Sequence, residues 1–253
     1  YLAGLAYENT EKYPQALELF EALEKSPQFF KPARIRRAVV LGKIKDHAKA
    51  IALIRDLQKV DTKSDPELFL LVAEFQSEMG RPQDSISTMK EAIKIQPDSL
   101  NFYFFLGVYQ EKAGLIDDCV ASMKKVISID PKYSAAYNYI GYLYAESNQK
   151  LLEAKSLVEH ALVLKPGDGL YLDSLGWIYF KLKDFNNALL YLNQALKAQP
   201  NEGVIVAHIG DVYAAMGQKN KALEHYKKAL ELKLDPDEKR KILTKYKNAG
   251  GHV

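Results

Sequence analysis

Histidine and cysteine are the side chains of this 253-residue chain best suited to metal binding or catalysis. The five histidines are His47, His160, His208, His225 and His252, and the single cysteine is Cys119. Only His208 and Asp211 form a tight constellation, at i and i+3 of one predicted helix. Two side chains do not complete a zinc site. The spacing therefore favours a hydrogen-bonding pair at the surface over a metal or catalytic pair.

Asp117 and Asp118 are neighbouring carboxylates beside a predicted turn, where acidic side chains stabilise the positive N-terminal end of a helix. Cys119 takes a small-residue packing position, which favours a buried, unreactive thiol over a reactive one. The sequence contains no glycine-rich phosphate loop, no metal-spaced pair of cysteines and no nucleophile motif. We therefore expect neither enzyme activity nor a cofactor.

Net charge and hydrophobicity bear on which classes of partner the chain could bind. The formal net charge of +3 is too small to predict nucleic-acid binding. No run approaches the roughly 18 apolar residues that a membrane-spanning helix needs. Lysines are dense from 219 to 247, but acidic residues alternate with them, so a solvated helix face is favoured over a patch for an anionic partner.

Residues 66–236 repeat about every 34 residues, and this period defines the elements that position these side chains. The copies begin at Pro66, Leu100, Ser134, Gly169 and Gly203. The eighth position is small in every copy: Ala73, Gly107, Gly141, Gly176 and Gly210. Such a period predicts a helix-turn-helix solenoid, in which the small residues stand where two helices cross closely.

Each copy also shows where its helices lie. In the copy at Gly169, Leu172, Leu175, Gly176 and Tyr179 form the apolar stripe of a first helix. A turn follows each first helix, with a residue there that must tolerate positive φ. The turn residues are Gly80, Gly114, Asn148, Lys183 and Gly217. The copy at Ser134 has one extra residue, placed near 148–152.

This pattern resembles the tetratricopeptide repeat (TPR) family, through stretches such as FYFFLGVYQEKAGLIDDCVASMKKVISIDP and DSLGWIYFKLKDFNNALLYLNQALKAQP. The resemblance implies an all-α, right-handed α-solenoid. Two weaker copies extend it toward the N-terminus, where three arginines blur the first-helix register of the second. The predicted repeats are 1–30 (truncated), 31–65, 66–99, 100–133, 134–168, 169–202 and 203–236. Residues 237–253 are predicted to form a capping helix, with Ile242, Leu243 and Tyr246 on one face, and a tail.

Because the first repeat lacks its opening residues, we expect the chain to be part of a longer protein, with any signal peptide or lipid anchor upstream. Residues 138–230 look like the C-terminal repeats of many proteobacterial TPR proteins. Several of those proteins are secreted or outer-membrane lipoproteins and others are cytoplasmic. The resemblance therefore predicts a bacterial source and leaves the location open between envelope and cytoplasm.

The resemblance also implies a binding surface, since the first helices of TPR proteins line a concave groove. Copied position by position, the groove comprises Leu70, Leu71, Glu74, Asn101, Phe104, Phe105, Val108, Asn138, Tyr139, Tyr142, Asp173, Ser174, Trp177, Phe180, Ala207, His208 and Asp211. Its centre is aromatic, and aromatic side chains dominate protein interfaces. We expect Trp177 and Tyr142 to anchor a partner, and the fold to tolerate their replacement.

The predicted function is a non-catalytic scaffold that holds a partner protein or peptide through apolar anchors. The residues do not match the family's clamp for C-terminal carboxylates or its asparagine ladder. Three alternatives for the aromatic surface stay open: packing between neighbouring first helices, occupation by a missing segment, and a dimer mate. Two alternative functions also remain: a regulatory or targeting module of a larger protein, and a cell-envelope assembly lipoprotein.

Overall fold

The computed structural model describes residues 1–60 and 65–251, so residues 61–64, His252 and the end of the predicted tail lie outside the described residues. The described chain contains fifteen helices and no strand. The helices are α1 (Leu2–Asn9), α2 (Tyr13–Leu23), α3 (Phe30–Lys43), α4 (His47–Val60), α5 (Leu68–Glu78), α6 (Pro82–Ile95), α7 (Leu100–Lys112), α8 (Ile116–Ile129), α9 (Ser134–Glu146), α10 (Leu151–Leu164), α11 (Gly169–Lys181), α12 (Phe185–Ala198), α13 (Gly203–Ala215), α14 (Lys219–Glu231) and α15 (Pro236–Asn248).

The helices form two compact units, an N-terminal unit (Tyr1–Ile129) and a C-terminal unit (Asp130–Val253). In both units each odd-numbered helix from α1 to α13 packs most closely on the helix that follows it. Helices α7, α9, α11 and α13 begin at the first residues predicted for their repeats. The all-α class predicted from the 34-residue period is confirmed.

The turns inside the helix pairs have the predicted left-handed conformation. The φ values are 72° at Gly80, 76° at Gly114, 53° at Asn148, 63° at Lys183 and 75° at Gly217. The additional residue of the copy at Ser134 lies in the turn between α9 and α10. The backbone of Lys150 is also left-handed there, with φ 45°. Glycine adopts this conformation without cost, whereas a side chain makes it strained.

Close helix crossings explain the small residues. A β-carbon added to Gly176 would lie 2.7 Å from Cγ of Leu192, and one added to Gly141 would lie 2.9 Å from the carbonyl oxygen of Ala154. In the N-terminal unit the hydroxyl of Ser85 donates a 2.8 Å hydrogen bond to the carbonyl of Ala73 on the paired helix. Small side chains are therefore required because the backbones approach directly.

Arginines on α3 account for its blurred register. Arg34 and Arg37 pair with Glu24 at 3.1 and 3.3 Å, and Arg36 lies 3.8 Å from Glu8. Arg34 and Arg37 stand at positions that are apolar or aromatic in the later copies, while Ala33 and Ala38 still enter the core. The helix begins at Phe30, one residue before the predicted start of its repeat.

Helix α15 packs on α14; it begins one residue before the predicted capping segment 237–253 and ends within it, at Asn248. Its Ile242 is 2% exposed in a cluster with Ala222, Tyr226 and Ala229. Asp235 caps the helix by accepting hydrogen bonds from the amides of residues 237 and 238.

Among the described helices, none combines the length and apolar character that crossing a bilayer requires.

Candidate partner-binding faces

In the N-terminal unit, four of the seven predicted groove residues of α5 and α7 line one cleft: Leu70, Glu74, Phe105 and Val108. We call it the α5–α7 cleft; it measures about 310 Å³. It is lined by Leu70, Glu74, Ser77, Glu78, Phe105, Val108, Tyr109 and Lys112. The period places Leu70 and Glu74 one turn apart on α5, and Phe105 and Val108 on the matching face of α7. These four residues therefore share one cleft, whereas Leu71, Asn101 and Phe104 are not among its lining residues.

Aromatic rings form the apolar part of the α5–α7 cleft. The ring of Phe105 is 38% exposed, although Phe104 meets it edge-on at 5.8 Å and Tyr109 stacks at 6.4 Å. Phe104 and Val108 are half-buried. An exposed phenylalanine beside apolar neighbours offers contact area to a partner without rearrangement.

Carboxylates border the same cleft. Glu74 and Glu78 are exposed on α5, and burial together with these two charges raises the pKa of Tyr109 to about 12. Glu78 lies 3.3 Å from Nε2 of His47. Lys112 donates a 3.0 Å hydrogen bond to the hydroxyl of Ser77. Copying TPR positions did not include Glu78, Tyr109 and Lys112, although helical periodicity along α5 and α7 could have found them.

In the C-terminal unit, α9 carries three predicted site residues. Asn138, Tyr139 and Tyr142 are half-buried. The side-chain oxygen of Asn138 is buried and accepts no hydrogen bond from the described residues. These residues thus present partly exposed ring surface, whereas the oxygen of Asn138 is not accessible to a partner.

Trp177 is buried, contrary to the expectation of an exposed anchor. Its ring stacks on His208 at 4.3 Å and on Phe180 at 4.8 Å, and it is 8% exposed. The ammonium group of Lys181 lies 4.8 Å from the ring centre, and the indole nitrogen donates a 2.5 Å hydrogen bond to Glu146. Neighbouring first helices therefore bury this tryptophan, as one of the sequence-based alternatives proposed.

His208 does not form its hydrogen bond with Asp211, and neither residue lies at the surface. His208 Nδ1 lies 2.8 Å from Oδ1 of Asp173 on the neighbouring first helix. Asp211 instead accepts from the hydroxyl of Tyr226 at 2.8 Å and pairs with Lys245 at 2.7 Å. All three partners lie in other helices, which i, i+3 spacing does not reveal. Lys245 stands 34 residues after Asp211, so the period could have found it.

The charges around His208 are compensated by other charges within the protein. Burial alone would lower the pKa of His208, but the carboxylates of Asp173 and Asp211 outweigh it, and the pKa is raised. We name Asp173, Trp177, His208, Asp211 and Lys245 the Trp177 cluster. Within the described residues no three histidine, cysteine or acidic side chains come together as metal ligands. The Trp177 cluster can hold α11, α13 and α15 together, since each of its charged groups has a partner.

Three family models described as tetratricopeptide repeat match the chain. One matches residues 169–202, another residues 100–133 and 205–236, and the third residues 1–66. Together they cover about two thirds of the sequence.

A curated relative is similar in sequence. The TPR repeat-containing protein PA4667 of Pseudomonas aeruginosa, a proteobacterium, is 28% identical over 171 residues. The match covers 66% of this chain and 28% of that protein, so the chain spans less than a third of the relative's length.

Solved structures show the same fold at low identity. A tetratricopeptide repeat protein from Parabacteroides merdae has a TM-score of 0.79 at 12% identity, covering 97% of this chain and 96% of that one. TTC0263, a TPR protein of Thermus thermophilus, has a TM-score of 0.63 at 22% identity, covering 73% of this chain and 98% of that one. A chain of the APC/C hetero-tetramer Cut9–Hcn1 has a TM-score of 0.71 at 17% identity, covering 98% of this chain and 48% of that one. With the repeat models matching both units, the chain belongs to the tetratricopeptide repeat family.

Proposed function

We propose that this chain is a non-catalytic scaffold that binds a segment of a partner protein on its first-helix faces. TPR repeats generally mediate protein–protein binding, and the family is generally non-catalytic. One structurally similar chain belongs to a hetero-tetramer. The proposal extends the common property of the family to particular surfaces of this chain.

The observation that carries the proposal is the α5–α7 cleft. Phe105 is exposed among apolar neighbours there, whereas Trp177 in the C-terminal unit is already covered by its own chain. Exposed aromatic side chains in a cleft provide the anchor pockets from which binding energy at interfaces arises. We therefore place the main contact at Phe105 and Val108. Asn138, Tyr139 and Tyr142 form a second contact surface on α9.

Site-specific crosslinking tests this placement. Benzoylphenylalanine is introduced at Phe105 in the full-length protein in its native cell, and at exposed Lys90 on α6 as the control. We expect a defined crosslinked partner from position 105, absent from position 90, that diminishes when Val108 is changed to Asp. Equal crosslinking from both positions, or none from 105, would contradict the proposal.

A second candidate is a regulatory or targeting module of a longer protein. The observation that favours it is the length of the curated relative, of which the match covers only 28%. The open reading frame around this sequence tests it: an adjoining catalytic domain would support the module, and a leader with a lipidatable cysteine would support an envelope assembly role.

A further inference from the structure

The α5–α7 cleft changes chemistry along its length. Leu70, Glu74 and Glu78 follow one another at four-residue intervals on α5 and all line the cleft. Four helical residues rise about 6 Å, so an apolar position is followed by two acidic positions at that spacing. Phe105 and Val108 on α7 provide the opposite apolar wall.

The acidic positions have little compensation from the protein itself. Within the described residues Glu74 takes part in no ion pair, and the ion-pair partner of Glu78 is a histidine, His47. Lys112, the cation of the cleft, hydrogen-bonds the hydroxyl of Ser77. Burial, together with the carboxylates of Glu74 and Glu78, raises the pKa of the Tyr109 phenol. The local charge is therefore negative and open to a cation from outside.

We infer that the α5–α7 cleft takes an extended peptide segment that carries one apolar side chain with a lysine or arginine two residues away. The inference rests on the proposed scaffold function. The apolar side chain packs between Leu70 and Phe105, and the cation lies beside Glu74.

Spacing favours an extended segment. Side chains two residues apart on a strand point to the same side and stand about 6.6 Å apart. This distance matches the helical rise of about 6 Å between Leu70 and Glu74. An apolar residue and a basic residue in an i, i+2 relation can therefore occupy both positions at once, in either chain direction.

Defined peptides test the partner chemistry. Fluorescein-labelled nonapeptides of glycine and serine carry a central Leu-Ser-Arg, Leu-Ser-Gln or Leu-Ser-Glu, and a reversed set carries Arg-Ser-Leu, Gln-Ser-Leu or Glu-Ser-Leu. Binding to the full chain is measured by fluorescence anisotropy at low and high salt. We expect the arginine peptide of one set to bind about threefold tighter than its glutamine counterpart, as a solvent-exposed ion pair would give. High salt should reduce the preference.

Charge variants locate the effect. Glu74→Gln with Glu78→Gln should abolish the preference for arginine, and Glu74→Lys with Glu78→Lys should reverse it in favour of glutamate. The control is Glu18→Gln with Glu224→Gln, which removes the same charge from exposed positions elsewhere and should preserve the preference. Phe105→Ala should weaken all three peptides of the binding set equally.

The outcomes separate this inference from the proposed function. Equal binding of arginine and glutamate peptides, a preference that survives neutralisation of Glu74 and Glu78, or no peptide binding at all would overturn the basic-peptide inference. A partner that crosslinks to position 105 through an acidic segment would overturn it too, while supporting the scaffold function. Failure of crosslinking from position 105 would count against the scaffold function itself.

Discussion

At the scale of single residues, exposure divides the predicted aromatic surface. Phe105 is 38% exposed and Trp177 is 8% exposed, although both were assigned to the same surface. The difference arises from neighbours: His208 and Phe180 stack on the indole ring, while the ring of Phe105 borders the α5–α7 cleft. A buried aromatic side chain contributes mainly to stability, whereas an exposed one can contribute to binding.

Replacing Trp177 with alanine should destabilise the protein. We expect Trp177→Ala to lower the free energy of unfolding by about 3–5 kcal/mol, because it leaves a cavity between α11 and α13. Phe105→Ala should lower it by less, about 1–2 kcal/mol, because more than a third of that residue's surface stays exposed to water. Urea unfolding followed by circular dichroism measures both. An unchanged midpoint for Trp177→Ala would show that the ring is not part of the core.

The stability contributed by His208 should depend on pH. Its pKa is raised in the folded protein, since Asp173 and Asp211 outweigh the effect of burial and of Lys245. The contribution is therefore complete below the ordinary histidine pKa of about 6.5 and is lost as the pH rises through the folded value. We expect the difference in melting temperature between the wild type and His208→Gln to be larger near pH 6 than near pH 9.

His160→Gln, on the exposed face of α10, is the control for this pH dependence. Its melting temperature should follow that of the wild type at both pH values. A wild-type advantage over His208→Gln that grew with rising pH would contradict the ion pair with Asp173.

At the scale of elements, glycines have two distinct roles. At a crossing such as Gly176 the missing side chain makes room for Leu192, whereas in a turn such as Gly114 space is open and the backbone requires positive φ. Steric exclusion and backbone conformation therefore select the same residue for different reasons.

Gly176→Leu should be far more destabilising than Gly114→Asn. The added β-carbon at position 176 lies 3.1 Å from the backbone nitrogen of Leu192 as well as against its side chain, so α11 and α12 must separate. We expect a loss of about 3 kcal/mol for this overpacked crossing. Asparagine tolerates the left-handed conformation, so Gly114→Asn should cost less than about 1 kcal/mol. Thermal unfolding compares the two, and equal losses would refute the crossing.

At the scale of the whole molecule, stability comes from repeated local interfaces within each compact unit. Helix α15 covers Ala222, Tyr226 and Ala229 with Ile242. Lys245 adds a charged contact to Asp211 on α13. The exposed side of α15 carries charged residues, the character that a terminal element of a repeat protein needs.

Deleting residues 237–253 should therefore reduce solubility more than helical content. We expect the truncated chain to lose only the helical signal of α15 but to self-associate, because the apolar face of α14 becomes exposed. Size-exclusion chromatography with light scattering, together with circular dichroism, measures both effects. A monodisperse, soluble truncation would refute the capping role.

Sequence alone determined the fold class and the helix pairs. The chain repeats a small residue at each eighth position and a turn residue after each first helix, with a period of 34 residues. Because every copy favours the same local structure, the tertiary context did not override it. Even the extra residue near Asn148 was placed correctly, because an insertion is tolerated in a turn and not within a helix.

Only the tertiary structure decided which predicted surface residues remain accessible. Trp177 and Phe105 were both assigned to one surface by copying repeat positions, and a repeat position does not state how much of a ring the neighbouring helices cover. The distinction depends on side chains about one repeat away: His208 covers Trp177, and Lys245 engages Asp211. Periodicity specifies the face of a helix on which a residue lies, but burial is set by the particular side chains of the neighbouring helices.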